Sequence, residues 1–375
     1  MKVAVIHDWL TVYAGAERAL NQILLCFPDA DLFTIVDFLP EKDRSFLSNT
    51  KITTSFVQAI PFANKFYRNY LPLMPFAVEQ FDLSSYDLIF SSSHAVAKGV
   101  ITSPDQLHVS YVHSPMRYAW DLQHQYLSES GNLRGLKSML IRIILHKLRI
   151  WDLASSYRVD LFLTNSSFIG RRINKIYRRT AEVIFGPVAL DDFSLETKKD
   201  DYYLTASRLV PYKKVELIAS AFKAMPDKKL IIIGDGPDRH KIERVTKNAP
   251  NIEYLGYQPL KSLITFMKKA KAFIFAAEED LGLTPIEAQA CGTPVIAYGK
   301  GGVTDTVIPF KTGLFFHEQT AESIKDAVVE FENLKFDSNQ IRLNAEKFSE
   351  GAFRDRLVNA IELELSKRNL KSGFL

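Results

Sequence analysis

Short runs of apolar residues alternate with longer helix-period stretches along the chain, and this alternation constrains the fold more than any other feature. The runs are rich in Val, Ile, Leu and Phe and show little apolar–polar alternation, which is typical of parallel strands buried on both faces. Strands that alternate with helices on this scale predict doubly wound α/β sheets. The predicted strands are Lys2–His7, Leu32–Val36, Asp87–Ser91, His108–Tyr111, Leu161–Thr164, Glu182–Phe185, Tyr202–Ala206, Lys229–Ile233, Ile252–Leu255, Ala272–Ala276 and Pro294–Ala297.

The pattern stops at Gly186-Pro187 and starts again after a polar stretch, and a chain of 375 residues fits two domains. We predict one Rossmann-like domain over residues 1–187 and a second over 188–345, with a helical segment 346–375 packing back toward the first. In open α/β sheets, ligands bind beyond the carboxyl ends of the strands. The expected site therefore lies in a cleft across which the two domains face each other. The last predicted helices are Ser323–Leu334 and Ser338–Arg368.

Composition and charge exclude several classes of protein. Hydrophobic residues make up 47% and charged residues 24%, as in a soluble globular protein. The two cysteines, Cys26 and Cys291, lie far apart and predict neither a disulfide framework nor a metal knuckle, which favours a reducing cytosol. The first residues already read as a strand rather than a signal peptide, and no apolar run reaches the roughly 18–20 residues of a membrane span. The sequence predicts a cytoplasmic protein, with peripheral attachment to the inner face of the membrane left open.

The strongest chemical signal is the segment Ala277–Ala288, which follows a predicted strand and opens a helix. Thr284 is predicted as its N-cap and Pro285 as its first residue. The free amides and positive end of that helix suit a diphosphate, and Gly282 lets the backbone approach a ligand closely. Thr284 to Glu287 is also an ordinary capping box, in which Glu287 would only satisfy the Thr284 amide.

A second signal is the group of three cations Arg208, Lys213 and Lys214, just after the first strand of the second half. A diphosphate leaving group gains negative charge as its bond to a sugar breaks, and each charge-assisted bond to it contributes about 1.5–3 kcal/mol. The competing interpretation is a solvated loop. A third signal is His113, at the carboxyl end of a strand and followed by a proline and aromatic residues. A lone histidine in that position is more often a core or capping residue.

These segments together resemble the family-4 retaining glycosyltransferases, which have the two-domain GT-B fold. The resemblance rests on Glu279 and Glu287 eight positions apart, on Arg208 and Lys213 five apart, on the turns Gly234-Asp235-Gly236-Pro237 and Ala14-Gly15-Ala16-Glu17-Arg18, and on the sequence around His113. The family usually has glycine where this chain has Lys214, so Lys214 is a second candidate for the phosphate contact.

The resemblance implies a role for each of these residues. Glu279 would bind hydroxyls of the transferred sugar and His113 its primary hydroxyl, while Arg208 and Lys213 would hold the diphosphate. Glu287 would accept hydrogen bonds from the ribose hydroxyls of the nucleotide. The remaining donor-binding candidates are Gly15, Gly234, Gly282, Leu283 and Thr284.

The implied reaction is transfer of a hexose from a nucleotide-diphosphate sugar, of the UDP-glucose or GDP-mannose type, with a slight preference for UDP. The implied acceptor is an oligosaccharide or lipid-linked glycan of a surface polysaccharide. The basic residues neutralise the diphosphate, so neither a metal nor a cofactor is predicted. The chain also offers no clear carboxylate nucleophile of the kind that retaining glycosidases use.

A strongly basic stretch runs from Arg134 to Arg179, with eleven basic and only two acidic residues. Its residues 136–153 predict a basic amphipathic helix, which suits an anionic leaflet or packs on its own domain with the charges outward. Competing functions are a nucleotide-sugar epimerase of the same fold and a basic nucleic-acid-binding module. A dinucleotide-dependent oxidoreductase is disfavoured because the N-terminal turn lacks Gly-X-Gly-X-X-Gly. We predict no nucleic-acid partner.

Overall fold

A computed structural model describes residues 1–129 and 134–368, and the chain divides into two compact units. The first unit is Met1–Gly186 together with the chain from Phe353 onward, and the second is Pro187–Ala352. The second unit is therefore an insertion, in chain order, within the first. Residues 369–375 of the predicted C-terminal segment lie outside the described residues.

The first unit is built on a sheet in which every described pair of neighbouring strands is parallel. Its seven strands lie in the order β3-β2-β1-β4-β5-β6-β7. They are β1 Val3–His7, β2 Asp31–Thr34, β3 Ile52–Thr54, β4 Leu88–Ser93, β5 Leu107–Val112, β6 Leu161–Thr164 and β7 Glu182–Val183. The chain moves outward from β1 to β3 and then returns to the other side of β1, so the topological switch point lies between β1 and β4.

Helices cover both faces of this sheet because successive strand residues point to opposite sides. Val3 and Val5 of β1 belong to one core, while Ala4 and Ile6 belong to the other. The described helices of this unit are α1 Gly15–Cys26, α2 Ala63–Phe66, α3 Met74–Glu79, α4 Gln123–Glu129, α5 Leu136–Ser156, α6 Ser167–Tyr177 and the C-terminal α14 Glu350–Lys367, numbered with those of the second unit.

The C-terminal helix α14 completes one core of the first unit. Leu357, Ile361 and Leu365 are buried in the same cluster as Leu20 and Ile23 of α1. Phe353 meets the Tyr111 ring edge-on, with 5.5 Å between ring centroids. The first unit therefore takes part of its core from residues that follow the second unit in the sequence.

The second unit has a parallel sheet of six described strands, in the order β10-β9-β8-β11-β12-β13. The strands are β8 Tyr203–Ala206, β9 Leu230–Ile233, β10 Ile252–Tyr254, β11 Ala272–Phe275, β12 Val295–Tyr298 and β13 Gly313–Phe316. The helices are α7 Val215–Lys223, α8 Arg239–Thr246, α9 Leu260–Lys269, α10 Leu283–Ala290, α11 Val303–Thr306, α12 Ala321–Glu332 and α13 Ser338–Glu346. Here the switch point lies between β8 and β11.

The predicted fold class, two Rossmann-like α/β domains, is confirmed, and each predicted strand is present with ends shifted by at most two residues. Two edge strands were missed. The strand β3 is only three residues long and half-buried, and β13 begins at a glycine. The single helix predicted over Ser338–Arg368 is wrong: it is interrupted between α13 and α14, where the Val188 amide donates to the Phe348 carbonyl at 2.9 Å.

Within the described ranges, no helix combines the length and apolar character needed to cross a bilayer. The same residues contain no cluster of three or more His, Cys, Asp or Glu side chains suited to a metal ion.

A buried ion pair between Lys98 and Asp152 lies at the centre of a hydrogen-bonded group in the first unit. Lys98 and Asp152 are both almost completely buried, and Nζ of Lys98 lies 2.5 Å from Oδ1 of Asp152. Lys98 also donates to Ser155 Oγ at 2.9 Å, while Oδ2 of Asp152 accepts from Trp120 Nε1 at 2.7 Å and from the Tyr177 hydroxyl at 3.0 Å. The charges are compensated, which is the condition under which a buried ion pair is tolerated.

Lys98→Met is expected to lower the free energy of unfolding by about 3–5 kcal/mol, because it leaves the Asp152 carboxylate buried without its cation. Urea unfolding measures the loss. The control is Lys325→Met, which breaks an exposed pair with Glu322 and should cost less than about 1 kcal/mol. Equal losses in the two variants would contradict the prediction.

Candidate functional site

The motif residues of the second unit gather at the carboxyl edge of its sheet, around the switch point. Arg208 follows β8 and Glu279 follows β11, and these two strands are neighbours although residues 207–271 lie between them in the sequence. Ligands of open α/β sheets bind at this kind of position. The topology therefore brings together two loops that the sequence presents as separate signals.

A direct contact joins the two loops. The Nζ atom of Lys213 forms an ion pair with Oε1 of Glu279, and both side chains are mostly but not completely buried. The Lys213 ammonium also lies 5.9 Å from the ring centroid of Phe275, the last residue of β11. Two residues predicted to bind a donor thus form an ion pair with each other.

The helix α10 begins one residue earlier than its predicted N-cap. Gly282 is the N-cap, in the left-handed conformation with φ 82°, and no side chain caps the helix. The prediction that Thr284 is the N-cap is therefore wrong, and so is the capping box, because Thr284 is already inside the first turn. The amides of Leu283 and Thr284 therefore lie in the first turn, at the positive end of the helix, and the glycine N-cap has no side chain to accept hydrogen bonds from them. Glu287 lies half-buried further along the same helix.

Glycines allow these loops to pack closely. Gly234 has φ 138°, and a Cβ atom there would lie 1.8 Å from the carbonyl oxygen of Ser207, beside Arg208. Gly301 has φ 85°, and a Cβ atom would lie 2.5 Å from the carbonyl oxygen of Glu279, whose carbonyl also accepts the Gly302 amide at 2.7 Å. Their role in the structure is to hold the Arg208 and Glu279 loops in place.

The two neighbouring lysines differ in position. Lys213 meets Glu279, whereas the exposed Lys214 lines a separate cavity of about 380 Å³ with Ser220, Asp238 and Lys241, and no residue of α10 contributes to that cavity. Lys214 also adopts a left-handed conformation, with φ 57°. This backbone explains why glycine suits the position. The guanidinium of Arg208 is exposed and has no partner among the described residues.

In the first unit, polar side chains fill the switch point between β1 and β4. The Nε2 atom of His113 lies 2.9 Å from Ser92 Oγ, which in turn lies 3.1 Å from Nδ1 of His7. The Glu17 carboxylate is 3.6 Å from Nε2 of His7. His113 is half-buried, whereas His7, Ser92 and Glu17 are buried. The predicted candidate His113 is thus the outer member of a buried polar group.

A fully buried carboxylate holds the loop after β4. Oδ2 of Asp8 accepts the amides of His94 and Ala95, and Oδ1 accepts those of Val96 and Ala97, at 2.6–2.9 Å. Burial opposes ionisation of Asp8, but the neighbouring His94 and these amides outweigh it and keep its pKa below the ordinary value. The loop is therefore fixed to the end of β1.

Gly15 is the first residue of α1, and it is exposed. Glu17, in the same turn, accepts the Ala14 amide at 3.0 Å through Oε2. The sequence identified this turn through its glycine, whereas the structure shows Glu17 as the residue that reaches His7. Composition and spacing contain no signal for the Glu17–His7 contact, because it joins a helix to the end of a strand.

The basic stretch does not form one continuous charged face. Several of its arginines are bound within the first unit: Arg149 to the Ala119 carbonyl, Arg158 to Glu79 and the Gly99 carbonyl, Arg172 to Asp121, and Arg179 to the Val159 carbonyl. These arginines are bound to groups of the first unit, which weakens the interpretation of the stretch as a nucleic-acid surface.

The architecture is that of GT-B glycosyltransferases. The structure resembles the lipopolysaccharide outer core galactosyltransferase WaaB in its apo form, with a TM-score of 0.68 and 17% identity over 97% of this chain and 100% of that one. It also resembles Anabaena HepE in complex with UDP, with a TM-score of 0.67 and 16% identity over 96% and 100% of the two chains.

Residues 189–348, nearly the whole of the second unit, match the family described as glycosyl transferases group 1. A GDP-mannose-dependent monoacylated phosphatidylinositol monomannoside mannosyltransferase of Corynebacterium glutamicum is 32% identical over 39% of this chain and 43% of its own length. The chain spans about half the length of the first curated relatives that it matches.

Acidification from about pH 7 to about pH 5 is expected to destabilise the first unit. Burial lowers the pKa of His108 to about 4 and that of His113 to about 3. Histidine in an unfolded chain titrates near 6.5. Below that pH the unfolded state binds protons that the folded state does not, so the free energy of unfolding falls as pH falls, by up to about 1.4 kcal/mol per pH unit for each histidine.

Hydrogen exchange followed by mass spectrometry at several pH values measures this loss for each unit. His108→Asn should flatten the pH dependence in the first unit, because it removes one of the groups that titrates on unfolding. An identical slope in wild type and His108→Asn would contradict the prediction.

Proposed function

We propose that this chain is a retaining glycosyltransferase, which transfers a hexose from a nucleotide-diphosphate sugar to a glycan or lipid-linked glycan. The observation that carries the proposal is the Lys213–Glu279 contact, since it brings the cationic loop after β8 to the loop that opens α10. Cations, uncapped helix amides and a carboxylate then share one edge of the second unit. These are groups that bind a diphosphate and the hydroxyls of a sugar attached to it.

In the proposed reaction, the bond between the anomeric carbon and the diphosphate oxygen breaks, and charge accumulates on the diphosphate. Arg208, Lys213 and the first amides of α10 stabilise that charge. The acceptor hydroxyl attacks the same face of the sugar, and its proton passes to an oxygen of the departing diphosphate. No step needs a metal, since basic side chains and amides provide the positive charge.

Glu279 binds the sugar in this proposal rather than attacking it. A covalent nucleophile has to be a free carboxylate close to the anomeric carbon, whereas Glu279 is paired with Lys213. When a diphosphate binds, Lys213 has a second anion to contact and its ion pair with Glu279 is weakened. The Glu279 oxygens then become acceptors for sugar hydroxyls. His113 of the first unit is proposed to bind the sugar as well.

The names of similar proteins point to two classes of donor, GDP-mannose and UDP-glucose. Curated relatives include GDP-mannose-dependent mannosyltransferases, whereas one solved structure of the same fold contains UDP-glucose. The name of one relative also specifies a lipid acceptor, phosphatidylinositol monomannoside. These names support a nucleotide-diphosphate hexose as donor and include lipid-linked acceptors in the proposal.

Arg208→Ala is expected to lower kcat/KM for sugar transfer by about 10²–10³, the effect of removing one preorganised group that stabilises developing charge. Release of nucleoside diphosphate from GDP-mannose and from UDP-glucose, measured with an acceptor extract, gives the rates. Lys214→Gly is the matched control, because Lys214 lines a separate cavity and its backbone already has a conformation that suits glycine.

Lys214→Gly should retain activity within about twofold, and thermal unfolding should be unchanged or slightly raised. Near-wild-type transfer by a normally folded Arg208→Ala variant would refute the proposal that Arg208 binds the diphosphate. Donor turnover in the absence of any acceptor would favour the epimerase alternative instead.

We further propose that the first unit binds an anionic membrane surface through α5. On this helix Leu136, Met139, Leu140 and Ile143 are exposed, and Leu136 as a residue is 84% exposed. Lys137 and Lys147 are exposed on the same helix, and its acidic residue, Asp152, is buried against Lys98. Apolar residues flanked by cations suit the boundary between anionic headgroups and acyl chains.

A second segment, which packs beside α5, also exposes apolar residues. The residues before and in α3 pack against α5, and a cavity lined by Pro72, Pro75, Ile144 and Lys147 lies where they meet. Phe62, Phe66, Leu73 and Phe76 are exposed in this segment. Residues 51–78 contain three basic and no acidic residues, so their charge matches that of α5.

The triple variant Leu136→Ser/Leu140→Ser/Ile143→Ser is expected to lose most of its flotation with vesicles that contain phosphatidylglycerol, because it removes the apolar contact. The control Val329→Ser/Leu343→Ser changes exposed apolar residues of the second unit and should float like wild type. Flotation of the wild type should fall in high salt and with neutral phosphatidylcholine vesicles. Equal flotation of the triple variant and wild type would refute the proposed surface.

A further inference from the structure

The group Glu17, His7, Ser92 and His113 forms a chain of contacts that the proposed reaction does not by itself explain. The contacts run from the first turn of α1, through the last residue of β1 and the end of β4, to the loop after β5. Three of the four side chains are buried, and two of the strands are neighbours at the switch point. Each of the two hydrogen bonds in the chain needs one donor and one acceptor, so the order of donors and acceptors along it is constrained.

The carboxylate at the inner end sets that order. Burial opposes ionisation of Glu17, but His7 and the backbone amides, including that of Ala14, outweigh it and hold its pKa below the ordinary value. The 3.6 Å between the Glu17 carboxylate and Nε2 of His7 is longer than a hydrogen bond, but an ionised carboxylate this close attracts an N–H and repels a lone pair, so Nε2 of His7 carries a proton. In the tautomer with that single proton, Nδ1 has the lone pair, which accepts the hydroxyl hydrogen of Ser92 at 3.1 Å.

The order continues to His113. Since the Ser92 hydroxyl donates to His7, its oxygen accepts from His113, and Nε2 of His113 carries the proton. The reverse order would direct the lone pair of His7 Nε2 at the Glu17 carboxylate. Among the described residues none forms a hydrogen bond with Nδ1 of His113, which is on a half-buried ring.

The surroundings keep His113 neutral, so its tautomer and not its charge is in question. His94, 6.2 Å away between ring centroids, is paired with Asp8, and the further groups that act on the charge of His94 are His7, Glu17 and Arg68. Tyr111 meets the His113 ring edge-on at 5.1 Å. Burial, followed by His94 and His7, lowers the pKa of His113 to about 3.

We propose that Glu17, His7 and Ser92 are positioning residues, which fix His113 in the Nε2–H tautomer so that Nδ1 accepts a hydrogen bond from a hydroxyl of the bound sugar. The second half of this statement rests on the proposed function, whereas the first half concerns the chain alone. A sugar hydroxyl bound to Nδ1 of His113 has to donate its hydrogen, because Nδ1 in this tautomer has a lone pair and no proton.

The first experiment reads the tautomer directly, by ¹⁵N–¹H correlation spectra of the histidine rings, with His113→Gln to assign the signal. Wild type is expected to show the Nε2–H tautomer of His113. Ser92→Ala and Glu17→Gln should each shift His113 toward Nδ1–H or a mixture. His108 is an internal reference, since its Nδ1 lies 3.2 Å from the Arg158 carbonyl and has to donate to it.

Ser91→Ala is the matched control variant. Ser91 is the neighbour of Ser92 in β4 but contacts Nε2 of His108 at 2.9 Å, so its removal should leave the His113 signal unchanged. An Nδ1–H tautomer of His113 in wild type, or an unchanged tautomer in both Ser92→Ala and Glu17→Gln, would overturn the proposal whether or not the protein transfers sugar.

The second experiment tests the sugar contact by comparing a donor with its 6-deoxy analogue. Wild type is expected to lose about tenfold in kcat/KM with the analogue, the size of one hydrogen bond, and Ser92→Ala should lose much less. Ser92→Thr should restore the discrimination. Equal discrimination by wild type and Ser92→Ala would overturn the role of the chain in sugar binding. Failure to turn over any nucleotide sugar, with the tautomer as expected, would refute the proposed function and leave the positioning chain intact.

Discussion

Every described strand in each sheet runs parallel to its neighbours, and the remaining features follow from this constraint. Parallel strands need helical crossovers, so the loops that follow the strands collect at one edge of each sheet. Each sheet also reverses its direction of growth once, between β1 and β4 in the first unit and between β8 and β11 in the second. Both groups of candidate residues lie at these points. Lys213 meets Glu279 because β8 adjoins β11, and His7 meets Ser92 because β1 adjoins β4.

The two switch points are built on different electrostatic principles. In the first unit the charges are buried and satisfied, as Asp8 is by four backbone amides, and such a group is costly to rearrange. In the second unit the Lys213–Glu279 pair is partly accessible, Arg208 is exposed, and α10 begins without a side-chain cap. Groups of this kind exchange partners readily. The first arrangement suits orientation of one side chain, and the second suits reversible binding of an anion.

The sequence was sufficient for the fold class because buried parallel strands have a distinctive composition, and it located the Glu279 and Arg208 loops because their motifs are local. Local pattern failed where tertiary contacts decide. The helix α10 starts at Leu283 because Gly282 supplies a left-handed turn, although Thr284 and Pro285 are a good local start signal. The pairing of Lys213 with Glu279 and the chain from Glu17 to His113 join residues distant in sequence. Periodicity contains no information about such contacts, and only the strand order determines them.

The return of α14 to the first unit has a consequence for the order in which the protein is made. Leu357, Ile361 and Leu365 fill a core that includes Leu20 and Ile23, which were synthesised more than three hundred residues earlier. Until those residues leave the ribosome, Leu20 and Ile23 lack the packing contribution of α14, while the sequence of the inserted unit is already complete. The inserted unit therefore has the means to fold first during translation, and the N-terminal sheet is exposed to chaperones and proteases for longer than its place in the sequence suggests.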